Sequence, residues 1–283
     1  MTKIIDGKAI ATKIKAELKL RADALKIEGI KPWLTVISVG EDPASAVYVR
    51  NKRKACAEVG IEFEHIKYDA DVTTDVLLRC VHKLNEDDLV HGIIVQLPLP
   101  EHINAELVLA AIDHWKDADG FHVVNAGRLL AGRDCVLPCT PAGCMELLKR
   151  YNIPLDGKNA VVVGRSNIVG KPMALLLQQE NCTVTICHSR TKNLAEHVKR
   201  ADIVVCAAGK KGLITADMLK TGAVVIDVGI NRGEDGKISG DVDFEAASQV
   251  AGWITPVPGG VGPMTVAMLM ANTIAAAENG GIK

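Results

Sequence analysis

Apolar positions along this chain fall into two registers. Ile10, Ile14, Leu18, Ala22 and Leu25 recur every three or four residues, the stripe of a helix, and Gly29 closes it as a left-handed cap. Elsewhere apolar residues gather into short runs, Trp33 to Val39, Ile61 to Tyr68 and Gly92 to Leu97, which predict strands. Asp42-Pro43 has the form of an N-cap followed by proline at the first helical position, so a helix is expected from there to about Gly60. A second helix around Thr74 to Leu84 completes a βαβαβ block. The third strand ends in Leu97-Pro98-Leu99-Pro100, a helix is expected over Asn104 to Ile112, and the polar stretch Lys116 to Gly127 reads as an ordered loop.

The second half repeats the pattern around a more specific signal. Ala160-Val-Val-Val-Gly164-Arg-Ser-Asn-Ile-Val-Gly170-Lys-Pro172 reads as a buried strand, a glycine turn and a helix start. Gly164 lets the backbone turn sharply, Gly170 lets the helix lie against the sheet, and first-turn N–H groups are expected to face a pyrophosphate. The usual dinucleotide fingerprint has another glycine where this chain has Ser166. After the next strand, Thr183 to Cys187, comes His188-Ser189-Arg190-Thr191, without the acid that would accept from a ribose 2′-hydroxyl. A cation and hydroxyls suit a 2′-phosphate, which with the upstream glycines favours NADP over NAD, the alternative being a solvated basic turn.

Two more apolar runs, Asp202 to Ala208 and Ala223 to Gly229, extend the βα repetition. The fold class expected is α/β, with two α/β domains and a cleft between them, the second a Rossmann-type doubly wound parallel sheet. The first domain is placed at residues 1–140 with a returning helix at 264–283, and the cofactor domain at 141–263. The helix Pro141 to Tyr151 links the halves.

Composition trims the alternatives. The 283 residues are 48% hydrophobic and 24% charged, with a net charge of −1, enough for two cores. That balance and only 3% aromatic residues argue against a nucleic-acid partner. Eight cysteines lie largely inside apolar patterns and form no CxxC pair, so they suggest neither zinc nor disulfides but a reducing, cytoplasmic setting. Lys3, Asp6 and Lys8 stand where a signal peptide would be apolar. The uncharged stretch Ala246 to Ala277 is broken by Pro256, Pro258 and Pro263, leaving too short a helix to cross a bilayer.

Tyr48 and Lys52 lie one helical turn apart on a shared face, where they could stack a flat ligand and move a proton; a packed tyrosine and a surface lysine are the plainer reading. Gln96 interrupts an apolar strand near its carboxyl end, where open sheets place ligands, although a core glutamine satisfied by backbone is the alternative. His122 and His188 read as loop hydrogen-bonders as readily as ligands, and no metal site is expected.

Six motifs stand in order: Tyr48-Val-Arg-Asn-Lys52, Val95-Gln96-Leu-Pro-Leu-Pro100, Lys116-Asp-Ala-Asp119-Gly120-Phe, Pro138-Cys-Thr-Pro141, Gly164 to Pro172, and Pro256-Val-Pro-Gly-Gly-Val-Gly-Pro-Met-Thr265. Together they resemble the bifunctional methylenetetrahydrofolate dehydrogenase/cyclohydrolase family over essentially the whole chain. The resemblance implies NADP-dependent oxidation of 5,10-methylenetetrahydrofolate to the methenyl form and its hydrolysis to 10-formyltetrahydrofolate, in one cleft. It implies Lys52 as the proton-transfer group, tuned by Gln96, with Asp119 on the pterin and Tyr48 stacked on the aminobenzoyl part. Val95 and Leu97 join the implied substrate pocket, as does the loop of Pro258, Gly259, Gly260, Val261, Gly262, Pro263, Met264, Thr265 and Val266. Gly164, Arg165, Ser166, Ser189 and Ile230 are the implied cofactor contacts, to which strand-end geometry adds Arg190. A homodimer through the cofactor domains is implied as well.

Overall fold

The computed structural model describes residues 2–233 and 236–280; residues 281–283 of the expected returning helix lie outside them. The chain opens with a two-residue strand, β1 (Lys3–Ile4), and helix α1 (Gly7–Ile27). Then follow β2 (Trp33–Val39), α2 (Pro43–Val59), β3 (Glu62–Tyr68), α3 (Thr74–Glu86) and β4 (Gly92–Val95). Short helices α4 (Ala105–Ala110) and α5 (Val123–Leu130) lead to α6 (Cys139–Arg150). The βα alternation resumes as β5 (Asn159–Val163), α7 (Gly170–Gln179), β6 (Thr183–Cys187), α8 (Leu194–Lys199), β7 (Ile203–Cys206) and β8 (Val224–Asp227). A small hairpin of β9 (Asn231–Arg232) and β10 (Ile238–Ser239), helix α9 (Phe244–Ala247), strand β11 (Trp253–Ile254) and helix α10 (Val261–Glu278) complete the chain.

The chain divides into two compact units. One comprises Thr12–Cys139 and the chain from Val266 on. Its sheet is three-stranded, ordered β3-β2-β4 and parallel throughout, with Ile37 opposite both Ile66 and Val95. Helix α3 shows why the sequence settles here: Thr73 caps it by accepting from Val76 N, and Leu77, Val81 and Leu84 fall on one face and are buried. They pack with Ile37, Val39, Ile93 and Val95 of the sheet. Each fully buried aliphatic side chain of this kind contributes roughly 1.5–3 kcal/mol. Helix α2 begins as expected, with the Asp42 carboxylate accepting from Ser45 N at 2.7 Å, and ends at Gly60 in the left-handed region.

The other unit comprises the chain up to Ala11 and Thr140–Thr265. Its six-stranded sheet runs β1-β11-β8-β7-β5-β6, parallel at every pairing, which is the doubly wound order. Residues 160–163 of β5, and all of β7 and β8, are buried, as continuous apolar strands covered on both faces must be. Strand β6 is at the edge, and Thr183, Thr185 and Ile186 face solvent.

Two differences from the sequence expectations concern boundaries. Residues 1–140 are expected to belong to the amino-terminal domain, without a strand before Trp33; Lys3–Ile4 pairs with Trp253–Ile254, and the chain up to Ala11 groups with the cofactor sheet. Two exposed residues carry no apolar signature; backbone hydrogen bonds from Lys3 N to Gly252 O and from Ile5 N to Ile254 O hold them. The stretch Lys116 to Gly127 is not loop throughout, since α5 starts at Val123. His122 supplies the cap, its Nδ1 accepting from Val124 N at 3.1 Å, a role sequence rules reserve for Ser, Thr, Asp and Asn.

All eight cysteines are unpaired thiols, six of them buried. Among the described residues no helix is long and apolar enough to cross a membrane.

Candidate active site

Lys52 and Gln96 are brought together by α2 and the end of β4. The ladder between β2 and β4 continues one residue past the strand, Gln96 N donating to Ile37 O at 2.8 Å, which fixes where the side chain starts. Its amide Nε2 donates to Leu97 O at 2.8 Å, and Oε1 accepts from Lys52 Nζ at 3.1 Å. The amide cannot turn over without losing both bonds, so its oxygen stays aimed at the ammonium. Tyr48, one turn before Lys52, is 47% exposed, so its ring is not a core side chain. Val95 is buried and Leu97 is exposed, so only the latter presents its side chain outward.

Asp119 sits in a turn that a buried acid shapes. The Asp117 carboxylate accepts from His122 N at 2.7 Å and from Gly120 N at 3.2 Å, with Asn125 Nδ2 beside it. Burial pushes its pKa up, against the pull of these donors, and the nearby Asp119 adds to the rise. Gly120 has φ +76° and packs against the Leu137–Pro138 backbone, which leaves no room for a Cβ. On its other side the turn is tied by Cys139 N donating to Asp119 O. The Cys139 thiol is held far above its usual range by burial first, then by the Asp119 charge, while Lys52 pulls the other way. Asp119 and Lys52 therefore both lie within electrostatic reach of this one buried sulfur.

A cavity of about 340 Å³ opens beside Gln96, walled by Ser38, Gly40, Ser45, Val49 and His65 among others. Ser38 Oγ lies 2.8 Å from His65 Nε2, and burial holds that imidazole below its ordinary pKa, helped by Arg53 and Lys67. Sequence reading did not single out these residues. Ser38 and His65 lie on adjoining parallel strands, and only strand pairing brings them together.

In the six-stranded sheet, the turn after β5 is built as the glycines predict. Gly164 has φ +139°, and a Cβ there would collide with the carbonyl of Ala207; one on Gly170 would collide with Gly164 itself. The N–H groups at the start of α7, expected to face an anion, are instead engaged within the turn. Ser166 Oγ accepts from Val169 N and Gly170 N at 3.2 and 3.3 Å, and Ser166 O accepts from Lys171 N. Ser166 therefore occupies the N–H groups at the start of this helix, whose N-cap residue Val169 makes no side-chain cap bond, a reason for serine where the fingerprint has glycine.

Arg165, Ser166, Ser189 and Arg190 are all exposed at the carboxyl end of β5 and β6. The second turn closes on itself, His188 N donating to Thr191 Oγ1 and His188 Nδ1 accepting from Arg190 N. Ile230, just past β8, is 53% exposed, an uncovered apolar surface suited to a planar ligand. A further cavity of about 250 Å³, with Lys158, Asp202, Lys220 and Trp253 on its walls, lies at the amino-terminal strand ends, the wrong end of an open sheet for its ligand.

Residues Pro258, Gly259, Gly260, Val261, Gly262, Pro263, Met264 and Thr265 run from a loop into the first turn of α10, and Val266 continues that helix. Gly259 has φ +104°, and its carbonyl accepts from Lys8 N at 2.9 Å. A Cβ on Gly7 would collide with the Gly260 carbonyl, and one on Gly260 with the Pro256 carbonyl and the Thr255 side chain, so neither position admits a side chain. Thr265 Oγ1 pairs with Thr140 Oγ1 at 3.0 Å. Among the described residues no group of three or more His, Cys, Asp or Glu could hold a metal ion.

Comparison with known proteins shows the family. The family model for the tetrahydrofolate dehydrogenase/cyclohydrolase catalytic domain matches residues 5–119, and that for the NAD(P)-binding domain matches 138–280. A bifunctional protein FolD of Acetivibrio thermocellus is 59% identical over 276 residues, 98% of this chain and 97% of its own. The crystal structure of the bifunctional FolD methylenetetrahydrofolate dehydrogenase/cyclohydrolase from Campylobacter jejuni superposes with a TM-score of 0.97 at 51% identity, covering 99% of each chain. A Trypanosoma brucei methylenetetrahydrofolate dehydrogenase-cyclohydrolase, complexed with NADP and inhibitor, gives 0.92 at 42% identity, covering 98% of each.

Proposed function

We propose how the residues of this chain, which belongs to the tetrahydrofolate dehydrogenase/cyclohydrolase family, divide its work. It is a bifunctional enzyme of one-carbon metabolism, oxidising 5,10-methylenetetrahydrofolate to the methenyl form and hydrolysing that to 10-formyltetrahydrofolate. NADP, when bound, supplies the hydride acceptor. The folate nitrogens stabilise the cation left behind, so for this step the chain's task is alignment. Tyr48 offers an exposed ring for stacking and Asp119 a carboxylate for the pterin.

Hydrolysis asks more. Water adds to the bridging carbon and one carbon–nitrogen bond opens, so a proton must leave the water and another must reach the released nitrogen. Lys52 Nζ carries these transfers, and Gln96 Oε1 holds it in place. The observation behind this assignment is the Lys52–Gln96 hydrogen bond, with the Gln96 amide fastened at its other end to Leu97 O.

The exposed cations Arg165 and Arg190, beside Ser166 and Ser189, support NADP over NAD. The edge strand β6, with Ile186 42% exposed, supports a homodimer joined through the cofactor sheets. The unpaired cysteines support a cytoplasmic location. The test is to assay both steps separately: methylenetetrahydrofolate with NADP or NAD for oxidation, and methenyltetrahydrofolate without cofactor for hydrolysis. Equal use of the two cofactors removes the 2′-phosphate assignment. Sedimentation as a monomer at micromolar concentration removes the dimer.

A further inference from the structure

Two buried acids take part in neither step. Asp241 is fully buried, and its carboxylate is satisfied by N–H donors alone. Its Oδ2 accepts from Ala208 N at 2.7 Å and Gly209 N at 2.9 Å; its Oδ1 accepts from Lys210 N and Asn231 Nδ2, both at 2.9 Å. Three successive backbone N–H groups turned into one carboxylate fix the shape of the loop after β7.

Asp241 is itself held by Asp227 at the end of β8. The Asp227 carboxylate accepts from Asp241 N at 3.0 Å, Val242 N at 2.9 Å and Gly229 N at 3.0 Å. Glycine is required on both sides, because a Cβ on Gly229 would collide with the Asp241 carboxylate and one on Gly240 with that of Asp227.

The loop these acids shape lies where a ligand is expected. β5 and β7 are neighbours; α7 carries the chain from β5 to β6 on one flank, while β7 and β8 build outward on the other. The strand order therefore reverses between β5 and β7, the point at which open α/β sheets bind ligands. One wall of that crevice is the Gly164 turn. The other is residues 207–210, whose Ala207 carbonyl presses on Gly164 and whose Ala207 N donates to Val163 O at 2.8 Å.

We propose that Asp241 is a positioning residue for the dinucleotide, holding residues 208–210 in the shape that forms the second wall of the cofactor crevice. This rests on reading the Gly164–Ser166 turn as the cofactor site. A carboxylate is needed because it accepts on both oxygens. An asparagine would turn an NH₂ group toward two of the four donors, and the loop would relax away from it.

The test compares full-length Asp241→Asn, Asn231→Ala and Ser166→Ala with the unmodified enzyme. For each, the dehydrogenase KM for NADP, kcat at saturating cofactor, the directly measured NADP Kd and the thermal unfolding midpoint are recorded. Asp241→Asn should raise KM and Kd for NADP by roughly tenfold, the worth of about one hydrogen bond, with kcat at saturation within about twofold. Cofactor-free methenyl hydrolysis should persist. Asn231→Ala, which keeps the carboxylate but removes one donor, should shift NADP binding the same way by less.

Unchanged NADP binding in both variants overturns the proposal, as does loss of kcat at unchanged KM, the signature of a damaged fold. If Asp241→Asn does not fold, Asn231→Ala decides. Ser166→Ala separates the premise from the proposal: if it alone weakens NADP, the turn is the cofactor site and Asp241 does not position it. If it leaves NADP untouched, the turn has been misread.

Discussion

Replacing Lys52 by methionine separates a chemical role from a structural one. The side chain is half-buried, and its recorded hydrogen bond is the one to Gln96 Oε1 at 3.1 Å. Methionine keeps an unbranched chain of similar length on α2, so no core void opens. The folded state loses one charge-assisted bond that solvent partly screens, about 1 kcal/mol, and the unfolding midpoint should fall by only about 2–4 °C.

Catalysis should suffer far more. Removing a positioned acid–base group costs about 10²–10⁴ in rate, or about 3–5 kcal/mol of barrier. Methenyltetrahydrofolate hydrolysis, followed by loss of its absorbance without NADP and corrected for the spontaneous reaction, should therefore approach background. Lys52→Arg makes the reasoning sharper, since guanidinium keeps the charge and can still reach Gln96 but does not give up its proton near neutral pH. If Arg restores hydrolysis, the lysine acts as a charge and not as a proton carrier. If Lys52→Met hydrolyses at the wild-type rate, Lys52 has no part in the step.

Other outcomes follow from the same geometry. Asp119→Ala should raise the folate KM with NADP affinity nearly unchanged; normal turnover with a lowered unfolding midpoint would make Asp119 a turn former only. Arg165→Ala and Arg190→Ala, compared by the ratio of kcat/KM for NADP to that for NAD at fixed ionic strength, should shrink the preference in whichever lacks the 2′-phosphate partner, by about one to two decades. An unchanged ratio in both would mean the phosphate pocket is elsewhere. Gly164→Ala should weaken NADP binding severely, since positive φ and contact with the Ala207 carbonyl together cost about 2–5 kcal/mol; wild-type cofactor affinity would refute the close packing.

Burial raises the Asp227 pKa to about 6, so the native state binds a proton between that value and the unfolded one near 3.8. Relative to Asp227→Asn, wild-type stability in urea should then rise by about 1 kcal/mol from pH 7 to pH 5, and a fall would reverse the assignment.

Strands β2, β4, β5, β7 and β8 were legible because they are short apolar runs that parallel pairing buries on both faces. The Asp42-Pro43 helix start and the Gly164 turn were equally plain, since each depends on a backbone preference of one or two residue types. What escaped was set by tertiary partners. Nothing in Lys3-Ile4 or Trp253-Ile254 announces a strand until the two are paired, and the His122 cap lies outside the usual capping residues. Asp241 looks like a surface acid in Gly240-Asp-Val-Asp; only the loop after β7, some thirty positions earlier, reveals its donors. For the site, Tyr48 and Lys52 were visible as candidates by spacing and Gln96 as a polar break in an apolar strand, but the bond joining Lys52 to Gln96 required α2 and β4 to be placed.

The pairing of β1 with β11 bears on how the chain is made. During synthesis β1 leaves the ribosome about 250 residues ahead of its partner strand, so at roughly 5–20 residues per second it waits on the order of 10–50 s for Trp253 and Ile254. Until then its only native neighbour in the sheet does not exist. The outer edge at β11 is finished late, by a segment made long before it. Thr2 Oγ1 to Ser248 O and Ala251 O, and Lys3 Nζ stacked 4.7 Å above Trp253, act as the latch that closes at that moment. Replacing Thr2 or Lys3 would thus be felt at that step of assembly, in the cofactor sheet rather than in the sheet that carries Gln96.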